Sequence, residues 1–124
     1  MSVAIQRQGD YLIASIQSDL ADGQVLAFRD ELSELVGRHR ARGVVVDVAR
    51  LDVIDSFVAR SLRSIAETAK LRGAEMVIVG IQPEVAIAMV QFDLNLDPLH
   101  TALDLTEALA LLDRWTWGDD EGGR

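Results

Sequence analysis

Hydrophobic and polar positions follow two rhythms along the chain. In "VAIQRQGDYLIASI", short apolar and β-branched runs flank Gly9-Asp10, which predicts two strands around a tight turn. From Asp22 to about Arg42 the period lengthens. Val25, Phe28, Leu32, Leu35 and Val36 recur at helical spacing with Arg29, Asp30, Glu31 and Glu34 between them, and Gly43 is expected to stop the helix. "GVVVDVARLDVI", residues 43–54, is nearly unbroken in β-branched side chains, the pattern of a central strand covered on both faces. From Ser56 to Arg72, Phe57, Val58, Leu62, Ile65, Ala66 and Ala69 form a stripe opposite Arg60, Arg63, Glu67 and Lys70, closed by Gly73. "AEMVIVGI" repeats the buried-strand pattern, and Pro83 suits the first turn of a third helix, where its missing N–H leaves no bond unmade. "LHTAL" predicts a short edge strand, and Asp104 is placed to cap a last helix carrying Leu105, Ala108, Leu109 and Leu112.

The predicted order is β-β-α-β-α-β-α-β-α, an α/β fold with a mixed, mostly parallel sheet, flanking helices and right-handed crossovers. Residues 1–116 are assigned to one domain, and residues 117–124 read as a disordered acidic tail. The chain has 124 residues, 49% of them hydrophobic but only 5% aromatic, so the core must be aliphatic. A net charge of -8 argues against nucleic acid, whose phosphates call for clustered Lys and Arg. Cysteine is absent, which removes disulfides, thiol nucleophiles and zinc–thiolate sites. No apolar run reaches the roughly 18 residues of a membrane span, and the amino terminus lacks a signal-peptide pattern, so a cytoplasmic location is expected.

Several chemistries lack their residues. His39 and His100 have no third ligand at metal-binding spacing. "DLNLD", residues 93–97, is followed by Pro98 where a calcium loop needs Gly, and reads instead as a helix exit. No glycine-rich phosphate cradle follows a strand. A phospho-accepting receiver would need a lysine on a late strand, whereas the single lysine, Lys70, falls on a predicted helix. Ser56 has no His and Asp partners for a triad. No cofactor, no metal and no enzymatic activity are expected.

Ser56 remains the position of interest. It opens a predicted helix directly after a strand-like run, where its oxygen would serve as an N-cap. The same place exposes backbone amides and the positive end of the helix dipole, which suits a phosphate.

The order of elements, with the hairpin first and "DSF" opening the second helix, resembles the STAS domain of anti-sigma factor antagonists. "VIDSFVARSL", "GAEMVIVGIQPEVAIAMV" and "TALDL" are similar, more narrowly, to the RsbS-like antagonists of the stressosome, over about residues 3 to 113. Ordinary antagonists of the family carry a small residue and glycine after the serine, where this chain has Phe57 and Val58. The resemblance implies that Ser56 accepts phosphate from an RsbT-like switch kinase and that the domain holds this kinase in a large assembly. An RsbR-like paralogue bearing a sensor domain is the implied companion. Asp55 would orient the loop or the hydroxyl, or act as a second cap or solvated acid. Asp55, Phe57, Gln82 and Glu84 are the expected partner-binding residues. The alternative is a stand-alone STAS protein, either an antagonist binding an anti-sigma factor directly or a subunit of a lipid-transport complex.

Overall fold

Residues 3–118 are described by the computed structural model, and the order of elements within them is the one that the hydrophobic rhythm predicts. The hairpin is β1 (Val3–Gln8) and β2 (Tyr11–Ile16). Then follow α1 (Asp22–His39), β3 (Gly43–Asp47), α2 (Ser56–Leu71), β4 (Glu75–Val79), α3 (Pro83–Gln91), β5 (His100–Ala102) and α4 (Leu105–Asp113), with a π-helical turn over Arg114–Gly118. The strands lie in sequence order in one sheet, β1 antiparallel to β2 and the rest parallel. The resulting fold is a single α/β domain with a mixed sheet.

Period-two alternation sorts the core into two layers. Leu12, Ala14, Val44, Val46, Met76 and Ile78 point to one face and pack with Val25, Phe28 and Leu32 of α1, Leu62 and Ile65 of α2, and Val85 and Met89 of α3. Tyr11, Val45, Val77 and Val79 point to the other and meet Ala108 and Leu112 of α4. Tyr11 donates its hydroxyl to the Asp113 carboxylate and lies 3.2 Å from Thr116 Oγ1, which ties the hairpin to the last helix. Asp104 caps α4 as expected, accepting from the Glu107 N–H at 2.9 Å. Pro83 occupies the first turn of α3.

Three boundaries differ from expectation. The third strand ends at Asp47 rather than continuing to Ile54, because the chain turns after Val48 while Leu51 and Ile54 remain buried from a loop. Burial alone therefore does not distinguish that loop from a strand. Helix α1 is closed by Arg40 in the left-handed conformation (φ 51°), with the Ala41 N–H bonded back to the Val36 carbonyl at 3.1 Å. Gly43 already belongs to β3. Finally, Trp117 and Gly118, assigned to the tail, continue the helical turn after α4; the rest of the predicted tail, and Met1 and Ser2, lie outside the described residues.

Gly43 is explained by space rather than by helix termination. A Cβ there would stand 2.7 and 2.8 Å from the Leu112 methyls and 3.1 Å from Tyr11 Cδ1, so α4 lies directly on the bare backbone of β3. Gly43→Ala is expected to destabilise the chain by about 1–3 kcal/mol through overpacking. Leu112→Ala alone should cost about 2–5 kcal/mol through the cavity it leaves. Urea titrations of both and of the double variant test this: the double should cost clearly less than the sum, since each change supplies the space the other lacks.

Candidate functional site

The carboxyl ends of β3 and β4 lie side by side, so the loops that follow them share one end of the sheet. Asp47, the last residue of β3, turns its Oδ1 back to accept from the Ala49 N–H at 2.9 Å. The Val48 N–H donates to the Val79 carbonyl at 3.0 Å, extending the strand pairing into the loop. Gly80 makes this possible. Its φ is +82°, and a Cβ there would sit 2.8 Å from Asp47 Oδ1, so both conformation and space favour glycine.

From Asp52 the loop rises to the start of α2. The structure corrects the expected cap: Asp55, not Ser56, is the N-cap, with extended backbone and Oδ1 accepting from the Val58 N–H at 2.9 Å. Ser56 is the first helical residue and is exposed. Among the described residues its hydroxyl has no hydrogen-bond partner. The carboxylate does the capping and leaves the hydroxyl free, because a stronger acceptor one position earlier reaches the same orphan N–H groups.

Gln82, expected to offer contact surface, also has an internal task. Half-buried, it donates from Nε2 to the Ala49 carbonyl at 2.8 Å and stands 3.4 Å from Asp52 Oδ1, so it pins the loop before Ser56 to the entrance of α3. Phe57 is half-buried and packs on the core, which leaves only part of its ring for a partner. Glu84 is exposed in the first turn of α3. Asp55, Ser56 and Gln82 are thus brought together at one end of the sheet, with Glu84 at its margin and Phe57 turned mostly inward.

Sequence reasoning missed the feature beside Ser56. Between the loop and α3 runs an open groove of about 430 Å³. Val53, Ile54, Val85, Ala88, Met89, Phe92 and Leu94 give it an apolar lining, while Asp52, Asp55 and Ser56 stand along one lip. Phe92 on its wall is 81% exposed, and elsewhere on α3 Val90 is 79% and Ile87 59% exposed. A signal was available, since α3 carries apolar residues on all sides, a pattern that a helix with one free face should not have. Among the described residues no cluster of His, Cys, Asp or Glu is arranged to hold a metal, and no helix is long and apolar enough to cross a membrane.

The exchange of cap has a measurable consequence. Asp55→Ala should cost about 1 kcal/mol of stability and Asp55→Asn much less, since asparagine also caps well. Ser56→Ala should leave the urea midpoint nearly unchanged. A cost at Ser56 equal to that at Asp55 would restore the serine as cap.

Comparison with known proteins follows the same outline. The STAS domain family matches residues 2–108. A serine-to-glutamate variant of RsbS from Moorella thermoacetica has 34% identity and a TM-score of 0.75, over 93% of this chain and 97% of that one. A chain in a structure described as the molecular architecture of the stressosome, a signal integration and transduction hub, has 31% identity and a TM-score of 0.71, over 92% of this chain and 99% of its own. The RsbT co-antagonist protein RsbRA of Bacillus subtilis is 31% identical over 82 residues, 58% of this chain but 30% of that protein, so the chain spans less than a third of that relative's length. With the family matched across the sheet and its helices, the chain belongs to the STAS family, and within it is similar to RsbS over nearly its whole length.

Proposed function

We propose that this protein is a non-enzymatic stressosome subunit that sequesters an RsbT-like switch kinase and releases it when Ser56 is phosphorylated. The observation that carries this reading is the free, exposed Ser56 hydroxyl, relieved of capping by Asp55 and set on the lip of an apolar groove. A kinase can reach that hydroxyl without unfolding the helix. The relatives support the reading through what they are described as: a co-antagonist of RsbT, and a stressosome component. The RsbS relative carries an exchange that puts a carboxylate where a serine stood, the kind of change that mimics a phosphate.

The effect of the phosphate follows from its surroundings. It adds about 1.5 to 2 negative charges, next to Asp55 and on the same lip as Asp52. Two unit charges about 5 Å apart at an effective dielectric near 20 repel by about 3 kcal/mol before screening. At an exposed site, solvent and salt reduce this to about 1 kcal/mol or less. The amino terminus of α2 returns about 0.3–1 kcal/mol in favour of the phosphate. These terms nearly cancel, so the fold should tolerate the modification. The larger cost arises on docking, when a hydrated dianion beside an apolar groove must be covered by a partner.

Incubation with the kinase and ATP should place phosphate on Ser56, read by mass spectrometry, and none on a Ser56→Ala variant. Ser56→Ala should bind the kinase as the native chain does, and Ser56→Asp about tenfold more weakly, a change of about 1.4 kcal/mol. Phosphate found only elsewhere, or equal affinities of the two variants, removes Ser56 from the switch. Mixing with an RsbR-like, sensor-bearing paralogue should produce a large particle by light scattering. If the mixture stays monomeric while the chain binds an anti-sigma factor directly, the stand-alone antagonist replaces the stressosome subunit.

A further inference from the structure

The groove beside Ser56 has features that a phosphate switch alone does not require. Its volume, about 430 Å³, lies within the range of about 300–1,000 Å³ typical of formed binding sites. It is open along one side and bounded by α3 and by the loop that leads into α2. Val53, Val85, Met89 and Leu94 make its lining apolar. The charge around it has one sign. Asp52 and Asp55 stand on one lip and Glu84 is exposed in the first turn of α3, while no Lys or Arg is among the lining residues.

We propose that this groove seats an amphipathic helix of a partner protein, with one large apolar side chain as its anchor and Lys or Arg about one turn away on the rim. The proposal rests on the reading of the Ser56 surface as the partner-binding face, and it specifies what that partner must present. The apolar face of a helix can lie along an apolar groove of this kind, with anchors recurring at helical spacing. Charge decides between occupants. A second copy of this chain would bring its own three carboxylates against these three, on top of a net charge of -8 for each chain. A basic flank instead meets Asp52 and Glu84 while the anchor fills the space over Met89. Phosphate on Ser56 stands on the same lip as Asp52 and Asp55, where its bulk and hydration obstruct the seat of the anchor.

The test uses the full chain and a fluorescently labelled helical peptide of about 18 residues, five turns, with a leucine stripe flanked by lysines. A counterpart with glutamates in place of the lysines serves as the second probe. Anisotropy titration should show binding of the lysine peptide and little of the glutamate peptide. Ala88→Trp, which fills the groove from a half-buried position, should weaken binding about thirtyfold, the scale of losing one hot-spot contact. Phe92→Ser changes a side chain that is 81% exposed and should weaken binding without disturbing the fold, so it keeps the test open if the tryptophan variant does not fold. Asp52→Asn combined with Glu84→Gln should weaken binding at low salt and have little effect at high salt. Unchanged binding by folded Ala88→Trp or Phe92→Ser, or equal binding of the two peptides, overturns the proposal. So does a native chain that is dimeric and becomes monomeric on Ala88→Trp, which would make a second copy the occupant. A kinase that ignores Ser56 while the peptide still occupies the groove sinks the phosphate switch alone, and loss of groove selectivity with Ser56 still phosphorylated sinks this proposal alone.

Discussion

Val44, Val45 and Val46 have no solvent exposure, and three successive strand residues can be buried together only when both faces of the sheet are covered. Much of the architecture follows from that requirement. Parallel neighbours on either side of β3 need crossover helices, and because the strands run in sequence order each right-handed crossover falls on the same face. The opposite face of β3 would then be bare. Helix α4 covers it, seated against Gly43 so closely that no side chain fits between. Once β3 is central, its carboxyl end opens into the loop that carries Asp55 and Ser56, and β4 delivers Gln82 beside it. The position of the candidate site is thus a consequence of burying the valines.

Within that loop the division of labour between two adjacent residues matters more than either alone. Had Ser56 been the cap, its hydroxyl would be occupied and phosphorylation would cost the helix its first bond. With Asp55 as cap, the helix start is independent of what happens to Ser56. The arrangement also sets a carboxyl group next to the hydroxyl. A phosphate placed there adds to an acidic lip rather than reversing its sign, so its influence on a partner comes mainly from size and hydration.

The alternation of strands and helices was legible because hydrophobic periodicity reports burial directly. The buried residues after β3 were read as strand because Val48, Leu51 and Ile54 are as apolar as the strand itself; the turn is set by Asp47 folding back on Ala49, a contact between a side chain and backbone that periodicity does not register. Arg40 as the residue closing α1 was hidden by Gly43, a stronger sequence signal that answers to the packing of α4. Ser56 does open α2, but the capping falls to Asp55, since Asp and Ser cap about equally well and only geometry chooses between neighbours. Gln82 and Asp52 meet across 30 positions of sequence, and the groove is bounded by segments equally remote. Such features depend on which loops the sheet order brings together, which no local window contains.

The edges of the sheet constrain how the domain can contact others. At one edge, β1 ends in Gln6, Arg7 and Gln8, all exposed, a polar run that discourages pairing with another strand. At the other, β5 has three residues, and the His100 ring lies tilted against Trp115 with ring centroids 4.4 Å apart, so the π-helical turn after α4 lies against the strand's start. Neither edge offers a long, flat, apolar template. Exposed apolar side chains occur instead on α3, where Ile87 and Val90 face solvent and Phe92 follows at the edge of the groove. A helix of nine residues that is apolar toward the core and toward solvent gains little from folding alone on its outer face, and that face lowers its free energy only when covered. The same few residues that make α3 poorly suited to an isolated domain therefore make it the surface on which a partner gains most.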